Sequence, residues 1–288
     1  MDPLELVRLP GLMQLGPGQP EVRVGLIDGP VIPDHPDLSD ATIREIPGKL
    51  RGTCNRADTV ACTHGTFVAG ILCGRRGSAA PAICPACTLL LRPIFAEAPN
   101  GNGQVPSATP EELAQAIVDT VDAGAHVINL SSALVQPSAK GERELRSALD
   151  YAVQRGAITV AAAGNQGTVG SSAITRHPGV IPVAATDLQG RPLSESNLGN
   201  SIGRRGLSAP GEKITSLGTN GKPQTLGGTS AAAPFVTGAI ALLWSEFPSA
   251  SAARIKLALR PASRPGRGAI FPPLLDAWAA YETLGGQR

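Results

Sequence analysis

Aromatic side chains are scarce, with two Trp, two Tyr and five Phe in 288 residues. That is too few to suggest the stacking platforms that bind single-stranded nucleic acid. Charge of one sign is also missing, since 25 Lys and Arg face 23 Asp and Glu for a net charge of +2. The basic residues at Arg75-Arg76, Arg204-Arg205 and Arg260 to Arg267 are scattered and read as solvated surface, not as a footprint for a polyanion. No run reaches the ~18 apolar residues that cross a bilayer. The N-terminus, Met1 to Arg8, lacks the basic start and apolar stretch of a secretory signal. Nucleic-acid and membrane partners are therefore not expected. If Met1 is the natural start, the chain is expected in the cytoplasm. Histidine is rare too, so chemistry that needs an imidazole must use His35, His64, His126 or His177.

What is present is a 42 % hydrophobic content in a repeated strand-then-helix order. Alternating apolar residues mark a strand at Val22–Asp28. A helix is expected from His64 to about Cys73, and a buried strand from Thr88 to Ile94. Thr109-Pro110-Glu111-Glu112 is a capping box that opens a helix running to about Ala123 and stopped by Gly124. Val127–Leu130 is a strand, Glu142–Arg155 a helix, and Ile158–Ala163 and Ile181–Ala185 are strands. This alternation implies an α/β fold with a mostly parallel sheet and helices on both faces. No linker or repeat divides it. Residues 1–288 are expected to form one domain, with 1–20 a lead-in and 260–288 an appendage helical around Leu274–Leu284.

Three local patterns carry chemistry. Gly227-Gly228-Thr229-Ser230-Ala231-Ala232-Ala233-Pro234 is a Gly-rich turn passing into an apolar helix. It presents the Ser230 hydroxyl beside free N–H groups and the positive end of a helix dipole, which suits a nucleophile and its oxyanion. Pro234 is expected at an early helical position, where a missing N–H costs little. A serine needs a base, and the base an orienter. His64 opens a second small-residue turn into an apolar helix, Thr63-His64-Gly65-Thr66-Phe67-Val68-Ala69-Gly70. His126 reads as structural, His177 as a loop residue before Pro178, and His35 as a surface loop residue. Asp28 closes the first strand, and a carboxylate buried there calls for a partner.

Asp28-Gly29, His64-Gly65-Thr66 with Val68-Ala69-Gly70, and Gly228-Thr229-Ser230 with Ala232 and Pro234 resemble, in this order, the three signatures of the subtilases. Ala163-Gly164-Asn165 matches a fourth segment. The resemblance spans about residues 20–245. It implies a subtilisin-like three-layer fold and a serine endopeptidase with Asp28, His64 and Ser230 as triad. Asn165 and the Ser230 N–H would then form the oxyanion hole. Asp-Gly-Pro at residues 28–30, Leu9-Pro10-Gly11-Leu12 and Arg92-Pro93-Ile94-Phe95 are similar, more narrowly, to subtilases that mature cyanobactin precursor peptides. The expected partner is a peptide or protein, added as a strand against Gly101, Asn102 and Gly103 on one side and Ser131, Ser132 and Ala133 on the other. The family usually carries Gly at or next to Ser132 and Ala133, so the added Cβ atoms narrow the first specificity pocket. Macrocyclising relatives carry a helical cap near the site, and the 36 positions between Asp28 and His64 leave little room for one. Hydrolysis is favoured over macrocyclisation, and a catalytically silent binding scaffold is the third reading. The oligomeric state stays open.

No catalytic metal or cofactor is expected. The loop Asp34–Asp40 offers carboxylates for structural calcium but equally reads as a solvated turn, without an EF-hand pattern. Five cysteines, Cys54, Cys62, Cys73, Cys84 and Cys87, lie close in sequence. Cys84-Pro85-Ala86-Cys87 has zinc-knuckle spacing, to which Cys54 and Cys62 could add ligands. A Cys54–Cys62 or Cys84–Cys87 bridge is an alternative. The preferred reading is buried or loop thiols kept reduced in a cytosol.

Overall fold

The computed structural model describes residues 1–97, 108–131, 141–260 and 268–286. Seven strands form one parallel sheet: β1 (Arg23–Ile27), β2 (Ile43–Glu45), β3 (Thr88–Leu91), β4 (Val127–Leu130), β5 (Ile158–Ala162), β6 (Val180–Thr186) and β7 (Leu207–Pro210), in the order β2-β3-β1-β4-β5-β6-β7. A hairpin of β8 (Ile214–Leu217) and β9 (Pro223–Leu226) stands apart. The helices among the described residues are α1 (Pro3–Leu6), α2 (Leu9–Leu15), α3 (Val60–Cys73), α4 (Pro110–Asp122), α5 (Glu142–Gln154), α6 (Ala173–Arg176), α7 (Asn200–Arg205), α8 (Thr229–Glu246), α9 (Ala252–Ala258) and α10 (Ala277–Gly285). None is long and apolar enough to cross a membrane.

The central strands feed both faces, as their two-residue period requires. Val127 of β4 points into a core with Phe67, Val68, Phe235 and Ile240 from α3 and α8. Its neighbours Ile128 and Leu130 point into a second core with Leu113, Ile117, Leu145 and Leu149 from α4 and α5. The three-layer α/β architecture expected from the sequence is present. The chain leaves β1 toward β3 on one side and later returns to β4 on the other, so the sheet changes winding direction at β1. Open α/β sheets bind ligands beyond the carboxyl ends of their strands at such a point.

α4 opens with the expected capping box, Thr109 Oγ1 accepting from the Glu112 N–H at 3.1 Å and Glu112 from the Thr109 N–H at 3.0 Å. α3 differs from expectation. It starts at Val60 because the Thr59 hydroxyl caps it, accepting from the Cys62 N–H at 3.2 Å, so His64 lies one turn in. Pro234 also sits later than expected, sixth in α8.

The lead-in and the appendage pack against each other. Leu9 and Leu12 of α2 are fully buried, a Cβ added at Gly11 would meet the Trp278 ring at 2.8 Å, and Arg8 pairs with Asp276 at 2.9 Å. Arg76 donates to the carbonyls of Met13 at 2.7 Å and Gly16 at 2.9 Å, closing the end of α2. Because Leu12 fills core space, Leu12→Ala is expected to lower the unfolding free energy by about 2–5 kcal/mol in a denaturant titration; a change under 1 kcal/mol would show that the lead-in is dispensable.

Candidate active site

Asp28 follows β1 at the point where the sheet changes direction and is fully buried. Its Oδ1 accepts from the Gly29 N–H at 2.6 Å and faces Nδ1 of His64 at 2.6 Å, while Oδ2 is buried without a hydrogen-bond partner among the described residues. A carboxylate only accepts, so Nδ1 carries the proton and Nε2 is left to accept. Two glycines make this contact available. A Cβ at Gly29 would stand 2.0 Å from the Ala61 carbonyl oxygen, and one at Gly65 2.3 Å from that of Pro30. The backbone of α3 therefore lies directly on the turn after β1. Thr66 Oγ1 accepts from the Ile32 N–H at 3.1 Å and holds that turn. The Gly and Thr after His64 thus set helix placement.

His64 is buried apart from about a quarter of its side chain, 26 % exposed. Burial disfavours the imidazolium and is the largest single influence, but the Asp28 charge and hydrogen bond together outweigh it. The His64 pKa is therefore raised above its ordinary 6.5.

Ser230 is the second residue of α8 and is half-buried. Its hydroxyl donates to the Ser131 carbonyl at 2.7 Å, just beyond β4, rather than to His64. Asn165 follows β5 and is exposed. Its Oδ1 accepts from the Thr229 N–H at 2.8 Å and the Thr229 hydroxyl at 2.9 Å, which fixes the amide and leaves the Nδ2 hydrogens to point elsewhere. Gly228 has φ +94°, and a Cβ there would meet Asn165 Nδ2 at 2.8 Å. The glycine before the helix thus keeps space for the amide. Asp28, Ser131 and Asn165 lie at strand ends on one edge of the sheet. The structure joins Asp28 to His64, Asn165 to Thr229, and Ser230 to Ser131. Gly101, Asn102, Gly103, Ser132 and Ala133 lie outside the described residues.

A model of the Subtilase family matches residues 19–271. The chain belongs to the subtilase family. Subtilisin DY of Bacillus licheniformis is 31 % identical over 240 residues, 82 % of this chain and 81 % of that protein. A thermostable alkaline protease of Halalkalibacterium halodurans is 34 % identical over 187 residues, and a thermophilic serine proteinase of a Bacillus species 33 % over 225. These matches cover 65 % and 78 % of this chain but 48 % and 52 % of those proteins, so the chain spans about half their length. Among solved structures, the prenylagaramide maturation protease PagA superposes with TM-score 0.82 at 29 % identity, covering 96 % of this chain and 98 % of that one. The patellamide maturation protease PatA gives 0.76 at 31 %, covering 93 % and 98 %. The narrower likeness of the motifs to the cyanobactin-maturing group is therefore matched at the level of the fold.

The remaining histidines of this subtilase have structural partners. His35 is buried, not on the surface, and its Nδ1 accepts from the Asp37 N–H at 3.0 Å to cap a short 3₁₀ turn. Asp37, from the loop considered for calcium, pairs with Arg75 at 2.8 Å. His126 is structural, as expected: it accepts from the Arg23 N–H at 3.2 Å and packs edge-on against Trp244. His177 is buried and bonded to Asp150 at 3.1 Å.

Cys54 and Cys62 form a disulfide, against the expectation of reduced thiols. It ties the loop before α3 to the first turn of that helix, two residues from His64. Both sulfurs lie near Glu97, but the Glu97 carboxylate is occupied by the N–H groups of Asn55 at 2.9 Å and Arg56 at 2.8 Å. Cys73, Cys84 and Cys87 are buried free thiols elsewhere, so the five cysteines do not converge on one site. Hydrogen bonding to Cys73, and burial after it, push the Cys84 thiol well up, which keeps it protonated and inert.

The His64 shift has a definite sign. A folded pKa above the unfolded 6.5 means that the charged pair with Asp28 stabilises the fold fully below pH 6.5, and that this contribution is lost as pH rises through the folded value. By histidine NMR, His64 is expected to titrate above 6.5 in the native protein. In Asp28→Asn, where burial acts alone, it is expected below 6.5. Titration unchanged by the substitution would contradict this coupling.

Proposed function

We propose that this subtilase is a serine endopeptidase in which Asp28, His64 and Ser230 form the triad and Asn165 with the Ser230 N–H form the oxyanion hole. One observation carries the reading: the buried Asp28–His64 bond at 2.6 Å leaves Nε2 as a free acceptor at the sheet edge where Ser230 heads α8. Rotation of the Ser230 hydroxyl away from Ser131 brings its proton to Nε2. Oγ then bonds the peptide carbonyl carbon as His64 takes that proton, and Asp28 stabilises the imidazolium through Nδ1–H. Charge developing on the carbonyl oxygen meets the Asn165 amide, already held by Thr229 and in need of no reorganisation. The C–N bond breaks as His64 returns the proton to the leaving amine. Water, activated by the same imidazole, then releases the acyl group from Ser230.

The substrate class we infer is a ribosomally made precursor peptide, bound as an added strand along the segments that include Ser131. Support comes from PagA and PatA, which are maturation proteases for prenylagaramide and patellamide. Hydrolysis, not cyclisation, is supported by the connection from Asp28 to His64. Residues 29–59 hold a three-residue 3₁₀ turn and the three-residue β2, and no α-helix that could cap the site. The PatG macrocyclase domain, 23 % identical with TM-score 0.81, shares the fold alone.

Ser230→Ala is expected to abolish cleavage of precursor peptides. Asn165→Ala is expected to lower turnover by about 10²–10³-fold, the range that loss of one such donor costs in subtilisin, with little loss of stability. Mass spectrometry of the products is expected to find linear peptides. Activity surviving Ser230→Ala would overturn the nucleophile, and cyclic products would overturn hydrolysis.

A further inference from the structure

Two polar side chains are buried in mostly apolar elements beneath Ser230. Asn129 stands between Ile128 and Leu130 in β4, and Thr237 lies between Val236 and Gly238 in α8; both are fully buried. Such groups cost free energy unless bonded. Here they form a chain with a single direction. The Thr237 hydroxyl donates to Asn129 Oδ1 at 2.8 Å, and Asn129 Nδ2 donates to Ser131 Oγ at 2.5 Å. The Ser131 hydroxyl then reaches the Ser230 carbonyl at 3.5 Å.

That last acceptor is free for a reason written in the sequence. Residue 234, whose N–H would ordinarily bond the Ser230 carbonyl, is Pro and has none. From the other side, the Ser230 hydroxyl donates to the Ser131 carbonyl at 2.7 Å. Ser131 therefore engages both the main chain and the side chain of Ser230, and Asn129 and Thr237 hold Ser131.

We propose that Asn129 and Thr237 are positioning residues for the nucleophile. They act through Ser131 to fix the place from which the Ser230 hydroxyl turns toward His64, so that a side-chain rotation suffices and no backbone shift is needed. This inference rests on the assignment of Ser230 made above. Neither residue touches substrate.

The test uses the full chain, a fluorophosphonate probe for the Ser230 labelling rate, steady-state peptide hydrolysis and thermal melting. Thr237→Val removes the hydroxyl at nearly constant shape and is expected to slow labelling and lower kcat about tenfold with KM little changed. Thr237→Ser, which keeps the donor, is expected to restore both. The double variant Asn129→Leu with Thr237→Val replaces both partners with apolar groups, so its melting temperature is expected to recover while kcat and labelling stay low. Recovery of kcat together with melting temperature would make the pair purely structural and overturn the proposal. Ser230→Ala in the same assays separates the two readings. Residual hydrolysis there removes the nucleophile, whereas a silent Ser230→Ala beside a Thr237→Val at wild-type rate removes only the positioning role.

Discussion

A single buried carboxylate organises this fold. Asp28 sits fully enclosed at the end of β1, and one of its oxygens has no hydrogen-bond partner among the described residues. A charge in that position is tolerated only beside a group able to carry the opposite charge, because desolvation alone costs several kcal/mol. The required group arrives on α3, and α3 can come close enough only because Gly29 and Gly65 let two backbones touch. The entry of α3 is arranged around that contact. Thr66 fastens the turn, the Thr59 cap sets where the helix begins, and the Cys54–Cys62 disulfide secures its first turn.

The second organising element is α8, which is buried nearly all round. Its polar residues are few and each has a defined partner. Thr229 holds Asn165, and Thr237 holds Asn129. Pro234 breaks the regular ladder one turn below the serine. A core helix of this kind gains stability from packing while its threonines orient Asn165 and Asn129.

Much of this was legible in the sequence because the decisive signals are local. Asp28, His64, Ser230 and Asn165 each sit in a short pattern of small residues, and those patterns reflect close backbone approaches. Val127–Leu130 and the Thr109 capping box were likewise read at their observed positions. What escaped depended on distant parts of the chain. β2 is only three residues long and mostly exposed, so it lacks a hydrophobic pattern, and it is held by pairing with β3. His35 looked like a loop residue because its burial comes from surrounding tertiary structure. The start of α3 was missed because Thr59 does not stand beside the first catalytic-looking residue but five positions before it. The disulfide was one of two bridges weighed against reduced thiols until the fold placed Cys54 against Cys62. Asn129 and Thr237 are 108 positions apart, and neither is unusual until they are seen to touch.

The seven-stranded sheet has a temporal consequence. β1 pairs with β3 and β4, and α8 packs over β4, β5, β6 and β7, so nearly all of its contacts reach far back along the chain. Pairing between such distant segments is slow to form, and chains emerge from the ribosome N-terminus first. The carboxylate and the imidazole are therefore made early, whereas the serine comes after residue 229, on the helix that closes the core. On the assignment proposed above, a half-made chain holds a base with nothing to activate. On that same assignment, peptide-bond cleavage is withheld from the nascent polypeptide by the order of its own sequence.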